Sequence, residues 1–377
     1  MRKRLALTAL ALATAVTAGV AVPATAAGPD PVRQGLETLV HSDGAPGALA
    51  SVRDGAGRVR SYTEGEGDRD THAKVPRDGQ VRIGSVSKTF TAVVVLQLVG
   101  EGKIGLDDKV EKHLPGLVRG KGIDGHQITV RQLLQHTSGL PDYEEDVTSD
   151  ILERRYVSPR TALDIALRHE AAFTPGAKGK WRYSSTNYLL AGLIVEKVTG
   201  RPFAEEVTRR VIQRVGLRHT YFPAPGETTI RERHPQGYRQ DQPGAVRDVT
   251  EIDPSASWAA GAMVSTNSDL NAFFSALLGG RLLDKPQLDA MRTTVRMREN
   301  DPDHNAGLGI ITMPLPCNDD QGRKRVAWAH SGTIPGYGTW TAATDDGRAA
   351  SVTMTLEITT NEAVEHLQKT VASALCR

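Results

Sequence analysis

The sequence has 377 residues, of which 39% are hydrophobic and 24% are charged, and its formal net charge at pH 7 is +2. A chain of this length can bury one large core with an inserted subdomain, or form two domains. Its near-neutral charge gives no reason to expect nucleic acid or a membrane surface as a partner.

The first residues have the pattern of an export signal. Basic residues 2–4 precede an uncharged apolar run over residues 5–22, and a small-residue cleavage site ends at Ala26. The run also approaches the length of a membrane span, which is the alternative interpretation. Removal of residues 1–26 takes away three positive charges and changes the net charge from +2 to −1. We therefore expect a cleaved signal peptide and a secreted domain, residues 27–377, that has no stable membrane span and is monomeric.

Cysteine and histidine usage restricts the chemistry. Cys317 and Cys376 are the only cysteines, and in an oxidising compartment an isolated pair more often forms a disulfide than two free thiols. The eleven histidines are scattered and no H-E-x-x-H motif occurs, so we expect no metal site. No G-x-S-x-G motif occurs either, which argues against an α/β-hydrolase fold.

The predicted elements alternate between strand and helix regions. In chain order they are a helix over residues 31–41, strands over 47–53 and 58–63, the helix after Ser85, helices over 129–136, 162–168, 188–199 and 204–215, strands over 338–344 and 348–358, and a helix over 361–375. Helical patterns dominate between about residues 106 and 250. This arrangement predicts a mainly helical lobe inserted beside an α/β lobe.

The residue pair Ser85 and Lys88 opens an apolar helical run that ends at Gly100 and Gly102. A hydroxyl at a helix N-terminus lies near unpaired backbone N–H groups, and a lysine three residues later shares its face. Serine is a poor nucleophile until a neighbour takes its proton, and an adjacent amine can take it or hold the base that does. A serine N-cap followed by a surface lysine is the alternative.

Two later stretches also concentrate polar groups. Residues 181–188 include Tyr183 and Ser185, and they precede the helix that starts near Leu189; helix capping would also explain them. Residues 329–337 include His330 and its neighbours Ser331, Gly332 and Thr333. Glycine there would let another backbone or a ligand approach closely, and a tight turn between strands is the alternative.

Together these stretches give, in order, S-x-x-K, Tyr-x-x and His-Ser-Gly, a variant of the motif set of penicillin-recognising serine enzymes. The chain resembles the branch of the serine β-lactamase and penicillin-binding superfamily that holds class C β-lactamases, related esterases and D-amino-acid peptidases. The likeness is strongest to secreted actinobacterial D-alanyl-D-alanine carboxypeptidases and covers residues 32–376, with support from residues 133–142, 257–261 and 265–270. It implies an α/β (α+β) fold in which an antiparallel sheet is flanked by helices, with the site between the sheet and the helical lobe.

The resemblance also implies a role for each matching residue. Ser85 would form the acyl-enzyme, Lys88 would hold the hydroxyl network and keep the Tyr183 oxygen proton-poor, and Tyr183 would carry the proton to the leaving group. A phenol has a reference pKa of about 10 and needs nearby cations to act as a base, so His330 would supply a donor or a positive charge. The oxyanion hole would be the backbone N–H groups of Ser85 and Thr333. The residues expected to bind substrate are Ser85, Ser185, Trp258, Ser331, Gly332 and Thr333.

The resemblance further implies that no cofactor is needed and that a Cys317–Cys376 disulfide joins the terminal helix to the strand before His330. Two positions depart from the family pattern. Ser185 replaces an asparagine, and Ile311 replaces the arginine that helps to bind the substrate carboxylate in the carboxypeptidases. Arg292, Arg296 and Arg298 are the alternatives for supplying that charge.

The first functional hypothesis is a secreted serine hydrolase of the D-alanyl-D-alanine carboxypeptidase type. It would act on peptidoglycan stem peptides and be acylated by β-lactams, as inhibitors or as substrates. A β-lactamase, or an esterase or D-amino-acid amidase of the same fold acting on small acyl substrates, is the alternative. A sensor that recognises penicillin without turnover is the third hypothesis, although a sensor does not need a base for its serine.

Overall fold

The computed structural model describes residues 30–147, 151, 153, 155–242, 245–298, 301–319 and 321–376. The expected signal peptide lies outside these residues. A nine-stranded sheet organises the described chain. From one edge to the other, its strands cover residues 295–298, 301–306, 311–318, 324–334, 337–343, 349–354, 47–53, 59–68 and 73–74. Every neighbouring pair of strands in this sheet is antiparallel. The expected antiparallel sheet flanked by helices is therefore confirmed.

The strands of the large sheet come from both ends of the chain. They are β1 Gly47–Arg53, β2 Val59–Asp68, β3 Ala73–Lys74, β10 Val295–Arg298, β11 Asp301–Ala306, β12 Ile311–Asn318, β13 Lys324–Ile334, β14 Tyr337–Ala343 and β15 Ala349–Met354. Within the described residues, three small strand pairs lie outside this sheet: β4 Val81–Arg82 with β9 Val264–Ser265, β5 Arg119–Gly120 with β6 Ile123–Asp124, and β7 Tyr238–Gln242 with β8 Ala245–Asp248.

Helices cover the sheet on both faces and build the lobe beside it. They are α1 Pro31–His41, α2 Ser87–Gly100, α3 Val110–His113, α4 Val130–Leu134, α5 Pro159–Ala166, α6 Thr186–Thr199, α7 Phe203–Val207, α8 Gln213–Val215, α9 Trp258–Gly261, α10 Asn267–Leu278, α11 Lys285–Arg292 and α12 Asn361–Leu375. A π-helical segment, Thr208–Ile212, joins α7 to α8. Among the described residues, none of the helices combines the length and the apolar character needed to cross a bilayer.

One face of the sheet is covered by α1 and α12. Leu36 and Leu39 of α1 and Leu367 and Val371 of α12 are fully buried in a core that includes sheet residues such as Val352. The apolar stripe of each helix faces the sheet and its polar side faces water, which is the pattern of a surface helix. These two helices bring the two ends of the described chain together on one side of the sheet.

The opposite face carries α10, which docks through polar side chains as well as apolar ones. The Asn267 amide donates to the Leu49 carbonyl at 2.9 Å, and its oxygen accepts from the Thr353 hydroxyl at 2.9 Å. Asn271 makes the matching pair with the Ser51 carbonyl and the Ser351 hydroxyl. Buried side-chain amides with satisfied partners fix one orientation of a helix on a sheet, so α10 is held in register with β1 and β15.

The helix α2 lies at the centre of a second core, which contains residues of α10 but none of α1 or α12. Its residues from Ser87 to Leu96 are buried around the whole circumference, which is the pattern of a core helix rather than a surface helix. Helices α6, α9 and α11 and residues of the helical lobe pack around it. The residue pair at its N-terminus is therefore held between the sheet and the lobe.

A disulfide joins Cys317 of β12 to Cys376, the residue after α12, with the two Cα atoms 5.7 Å apart. The bond closes a loop with a sequence separation of 59. Since α12 covers the outer face of the sheet, the bond ties this helix to the strand that runs beside β13.

Candidate active site

The first element of the site is a short 3₁₀ turn, Gly84–Val86, that leads into α2. It places Ser85 one turn from Lys88, whose Nζ lies 2.9 Å from Ser85 Oγ. The same Nζ donates to the Ala260 carbonyl of α9 at 2.9 Å. Thr91 fixes α9 further by donating to the Ala259 carbonyl at 2.6 Å. The amine is thus held from two sides, with its remaining capacity directed at the serine hydroxyl.

Burial determines the charge of Lys88. The side chain has no solvent exposure, and burial lowers the pKa of Lys88, while the charges of Glu144 and Asp142 act in the opposite direction. A buried lysine loses its proton more readily because the low-dielectric interior disfavours the ammonium form. Burial therefore shifts Lys88 toward its uncharged form, in which the amine could accept a proton from the hydroxyl beside it.

Tyr183 lies beside this pair, with Lys88 Nζ 4.9 Å from the centre of its ring. Burial raises the pKa of Tyr183 well above its usual value, although its hydrogen bond with Ser85 acts to lower it. The resting phenol is therefore protonated. This differs from the proton-poor oxygen expected from the sequence, and the reason is burial, which disfavours a phenolate more strongly than its neighbours stabilise it.

His136 is a member of the site that sequence reasoning did not single out, although it lies in the supporting stretch 133–142. Its ring stacks on Tyr183, with the ring centres 4.5 Å apart. Its Nδ1 accepts from the backbone N–H of Ser184 at 3.2 Å and lies 3.1 Å from Asn187 Nδ2. The residue has a φ of 59°, a left-handed conformation that is uncommon outside glycine. The unusual backbone conformation of His136 marks it as a residue of interest, but this conformation is visible in the structure and not in the sequence.

His330 of β13 lines the same pocket as Tyr183. Its Nδ1 lies 2.6 Å from the Ser331 carbonyl oxygen, and burial lowers the pKa of His330 to about 4. The imidazole is uncharged at neutral pH for that reason. The sequence predicted a donor or a positive charge at this position. The ring carries no charge at neutral pH, and its one N–H is directed at a backbone carbonyl.

The strand β13 runs directly beside the serine turn. A Cβ on Gly84 would lie 2.9 Å from Thr333 N, and a Cβ on Gly332 would lie 3.0 Å from Ser85 N. Gly84 also has a φ of +49°, which favours glycine. The glycines at these two positions let the backbones of Ser85 and Thr333 approach each other, as an oxyanion hole built from both N–H groups requires.

A small pocket of about 120 Å³ adjoins these groups. It is lined by His136, Trp181, Tyr183, Met297, Ala306, Gly307, Gly309, Ile310, Ile311, His330 and Ser331. Ile311, the first residue of β12, is thus part of the wall, and none of the lining residues is a lysine or an arginine. Among the described residues, the pocket therefore offers no lysine or arginine for a carboxylate at the position where the resemblance to the carboxypeptidases implies an arginine.

The three alternative arginines do not fill this gap. Met297 of β10 lines the pocket, and its neighbours Arg296 and Arg298 are exposed, because successive side chains of a strand point to opposite faces. Arg292 donates to the Asp345 carboxylate at 2.7 Å and lies over the Trp328 ring. The guanidinium group of Arg292 is therefore engaged elsewhere, and Arg296 and Arg298 are not among the described residues that line the pocket.

Of the remaining residues expected to bind substrate, some line the small pocket and others do not. Ser331 lines the pocket, and Ser185, at the start of α6, has a fully buried hydroxyl with no hydrogen-bond partner in the described chain. Trp258 packs on Phe203, with ring centres 5.5 Å apart, and lines a separate apolar cavity. The backbone of α9, rather than the Trp258 ring, reaches the serine–lysine pair.

Comparisons with known proteins show the family and the fold of the chain. A family model described as "Beta-lactamase" matches residues 32–374. Among solved structures, a D-stereospecific amidohydrolase from Streptomyces sp. is 39% identical with a TM-score of 0.80, over 90% of this chain and 98% of that one. A D-amino acid amidase from Ochrobactrum anthropi SV3 is 25% identical with a TM-score of 0.78, over 91% of this chain and 97% of that one.

Curated relatives match over shorter parts of their length. Penicillin-binding protein 4* of Bacillus subtilis is 26% identical over 68% of this chain and 56% of its own length. Protein flp of Staphylococcus aureus (strain MW2) is 28% identical over 54% of this chain and 40% of its own length. The chain spans about half the length of these relatives. With its serine–lysine–tyrosine site between sheet and helices and a family match over nearly the whole described chain, the protein belongs to the β-lactamase family, a branch of the β-lactamase and penicillin-binding protein superfamily of serine hydrolases.

Proposed function

We propose that the protein hydrolyses amide and ester bonds of D-amino-acid derivatives through an acyl-enzyme on Ser85. The observation that carries this proposal is the 2.9 Å contact between Ser85 Oγ and the buried Lys88 amine. A hydroxyl beside an amine that burial shifts toward its uncharged form has a base for its proton, which is what an activated serine needs. The full set of groups argues against a non-catalytic sensor, because recognition alone does not need a base.

The lowered pKa of Lys88 and the raised pKa of Tyr183 suggest a route for the proton. Lys88 would take the proton of Ser85 as the hydroxyl attacks the substrate carbonyl. The protonated Tyr183 would give its proton to the leaving group and recover one from Lys88, so that one proton passes from serine to leaving group. The backbone N–H groups of Ser85 and Thr333 would hold the developing oxyanion.

The pocket favours substrates with uncharged leaving groups. A buried carboxylate without a partner is very costly, and no lysine or arginine lines the pocket within the part of the chain that the structure describes. The D-alanyl-D-alanine carboxypeptidase hypothesis is therefore less favoured than a D-amino-acid amidase or esterase. The names of two similar structures, a D-stereospecific amidohydrolase and a D-amino acid amidase, support the same choice. We expect β-lactams to acylate Ser85 because they present a strained, reactive amide to the same hydroxyl.

We also propose that the protein is secreted after cleavage near Ala26 and acts as a monomer in which residues 106–250 form the helical lobe. The Cys317–Cys376 bond supports an oxidising compartment, since such bonds persist there. Peptidoglycan stem peptides contain D-amino acids, so fragments of them are candidate substrates outside the cell.

A four-substrate panel tests the proposed function. The protein and its Ser85→Ala variant are incubated with a D-amino-acid amide, a p-nitrophenyl ester, a D-Ala-D-Ala peptide and a chromogenic cephalosporin. We expect turnover of the amide and the ester to exceed that of the peptide, with every activity lost in the variant. A fluorescent penicillin should label the peptide that contains Ser85. Labelling elsewhere, or equal labelling of Ser85→Ala, would refute the assignment.

A further inference from the structure

Two uncharged imidazoles line the small pocket beside Tyr183, and the backbone fixes the position of the proton on each ring. A histidine ring carries one N–H in its neutral form, and the partner of one nitrogen decides which nitrogen holds the proton. Both rings here have a backbone partner that can play only one role. The backbone therefore decides whether Nε2 of each ring is a hydrogen-bond donor or an acceptor, and the two rings differ in this respect.

His136 presents a donor to the pocket. Its Nδ1 faces the backbone N–H of Ser184 at 3.2 Å, and since a backbone N–H only donates, Nδ1 is the unprotonated nitrogen. The proton is on Nε2, at the opposite edge of the ring. Burial holds the pKa of His136 well below its usual value, so the ring remains a neutral N–H donor.

His330 presents an acceptor. Its Nδ1 lies 2.6 Å from the Ser331 carbonyl oxygen, and since a carbonyl only accepts, Nδ1 carries the proton. The lone pair of Nε2 is then left on the other edge of the ring. The two histidines thus supply one hydrogen-bond donor and one acceptor to a pocket of about 120 Å³ whose remaining walls include Met297, Ile310 and Ile311.

We propose that this pocket recognises a primary carboxamide on the leaving group: the amide oxygen accepts from His136 Nε2–H, and the amide N–H donates to His330 Nε2. This inference rests on the proposed acyl-enzyme function and adds the class of leaving group. A primary carboxamide is a small neutral group that has an acceptor and a donor on the same carbon. The pocket volume suits a residue the size of alanine that ends in such a group.

The same arrangement disfavours a carboxylate and, less strongly, an ester. A carboxylate has acceptors only, so one of its oxygens would face the lone pair of His330 without a cation to compensate. A methyl ester keeps the carbonyl that His136 binds but has no N–H for His330. Leaving an acceptor unmatched in a site built to hydrogen-bond its ligand lowers kcat/KM.

The test compares one acyl group on three leaving residues: acyl-D-Ala-D-Ala carboxamide, its methyl ester and its free acid. Release of D-alaninamide, D-alanine methyl ester or D-alanine is followed by mass spectrometry. We expect kcat/KM for the carboxamide to be about tenfold higher than kcat/KM for the ester. We expect kcat/KM for the free acid to be at least about tenfold lower than kcat/KM for the ester.

Variants separate the two hydrogen bonds. His330→Phe should reduce the carboxamide-to-ester ratio to about one, because the ring can no longer accept. His136→Phe keeps a ring over Tyr183 but removes the donor, so both substrates should weaken while their ratio stays. Met297→Leu, which changes the wall without changing a hydrogen bond, should keep the ratio as well. Thermal unfolding is recorded for each variant.

Three results would overturn the inference. The wild-type carboxamide-to-ester ratio of kcat/KM could be near one, the wild type could prefer the free acid, or the ratio could be unchanged in a folded His330→Phe protein. If His330→Phe does not fold, the order of the three substrates on the wild type decides. Release from no substrate, together with no penicillin label on Ser85, would instead mean that the proposed function has failed.

Discussion

A Cβ on Gly332 would lie 2.0 Å from the carbonyl oxygen of Ile83. Real Cβ atoms do not approach an oxygen so closely, and both groups belong to backbone that other elements hold in place. β13 therefore touches the segment that leads into the serine turn, and this contact sets the distance between Ser85 N and Thr333 N.

We expect Gly332→Ala to lower acylation by a fluorescent penicillin by at least about a hundredfold, because the added methyl pushes β13 away and widens the oxyanion hole. Gly55→Ala is the matched control, since the nearest atom to its added Cβ is 3.4 Å away. Similar labelling rates in both variants, measured by stopped reactions and gel fluorescence, would contradict this prediction.

Lys88→Met should abolish acylation and at the same time raise the free energy of unfolding by about 1 kcal/mol at pH 7, because a buried amine is replaced by an apolar side chain of similar volume. Burial lowers the pKa of Lys88 from 10.5. The unfolded wild type therefore binds the extra proton, and wild-type stability rises with pH up to about 10.5. The advantage of the variant should shrink from pH 7 to pH 9 in urea unfolding experiments. An advantage that grows with pH would refute this account.

Asp142 gives a second pH-dependent prediction. Burial first, and then the charge of Glu144, raise the pKa of Asp142 from 3.8 to about 6. A raised carboxyl pKa contributes stability that is present below pH 3.8 and is lost as the pH rises through 6. Asp142→Asn should therefore stabilise the protein by about 1–2 kcal/mol at pH 7.5 and by little at pH 4. Urea unfolding at both pH values measures the difference. Equal gains at the two pH values would show that the carboxyl titrates normally.

Ile311→Arg should shift the substrate preference toward free carboxylates. A charge-assisted contact from arginine is worth about 1.5–3 kcal/mol, which corresponds to a ten- to hundredfold gain in kcat/KM for a D-Ala-D-Ala peptide relative to its C-terminal amide. Ile311→Met, which adds no charge, is the control. If the wild type already prefers the free acid by a hundredfold, position 311 does not set this preference.

Removing the Cys317–Cys376 bond should destabilise the protein by about 4 kcal/mol, from the loss of loop closure over a sequence separation of 59. The Cys317→Ser/Cys376→Ser variant measures this in urea against the oxidised wild type. The intact mass of the wild type without reductant should lie ~2 Da below the reduced mass, since forming the bond removes two hydrogens. Two alkylatable thiols in the purified protein would contradict the assignment.

Local patterns accounted for the elements whose structure depends on near neighbours. The strand Gly47–Arg53 and the helix Asn361–Leu375 have the bounds that the sequence predicts, because hydrophobic alternation and a 3.6-residue stripe act over a few residues. The contact between Ser85 and Lys88 was predictable for the same reason, since both residues lie within one helical turn. The expected helical region also contains two small hairpins, β5–β6 and β7–β8, whose strands are too short to leave a periodic signal.

Properties that depend on distant contacts were not available from the sequence. The role of His136 depends on Ser184, 48 residues later. The neutral state of His330 and the protonated state of Tyr183 depend on burial by several elements. Trp258 was grouped with the substrate-binding residues, yet its ring packs on Phe203 while only the backbone of α9 reaches Lys88. Sequence order therefore predicted which residues lie close together, such as Ser85, Lys88 and Tyr183, better than it predicted their charge states.

The pairing of β1 with β15 has a consequence for synthesis. Ala48 lies opposite Met354, so the central strands of the sheet join residues from opposite ends of the chain. A ribosome-bound chain that ends before residue 349 leaves β1 with an unpaired edge and its apolar side chains exposed, which invites association with other chains. Closing so long a loop is slow. The nascent protein should therefore need a chaperone to hold it unfolded until residues 349–354, the partner of β1, have been made.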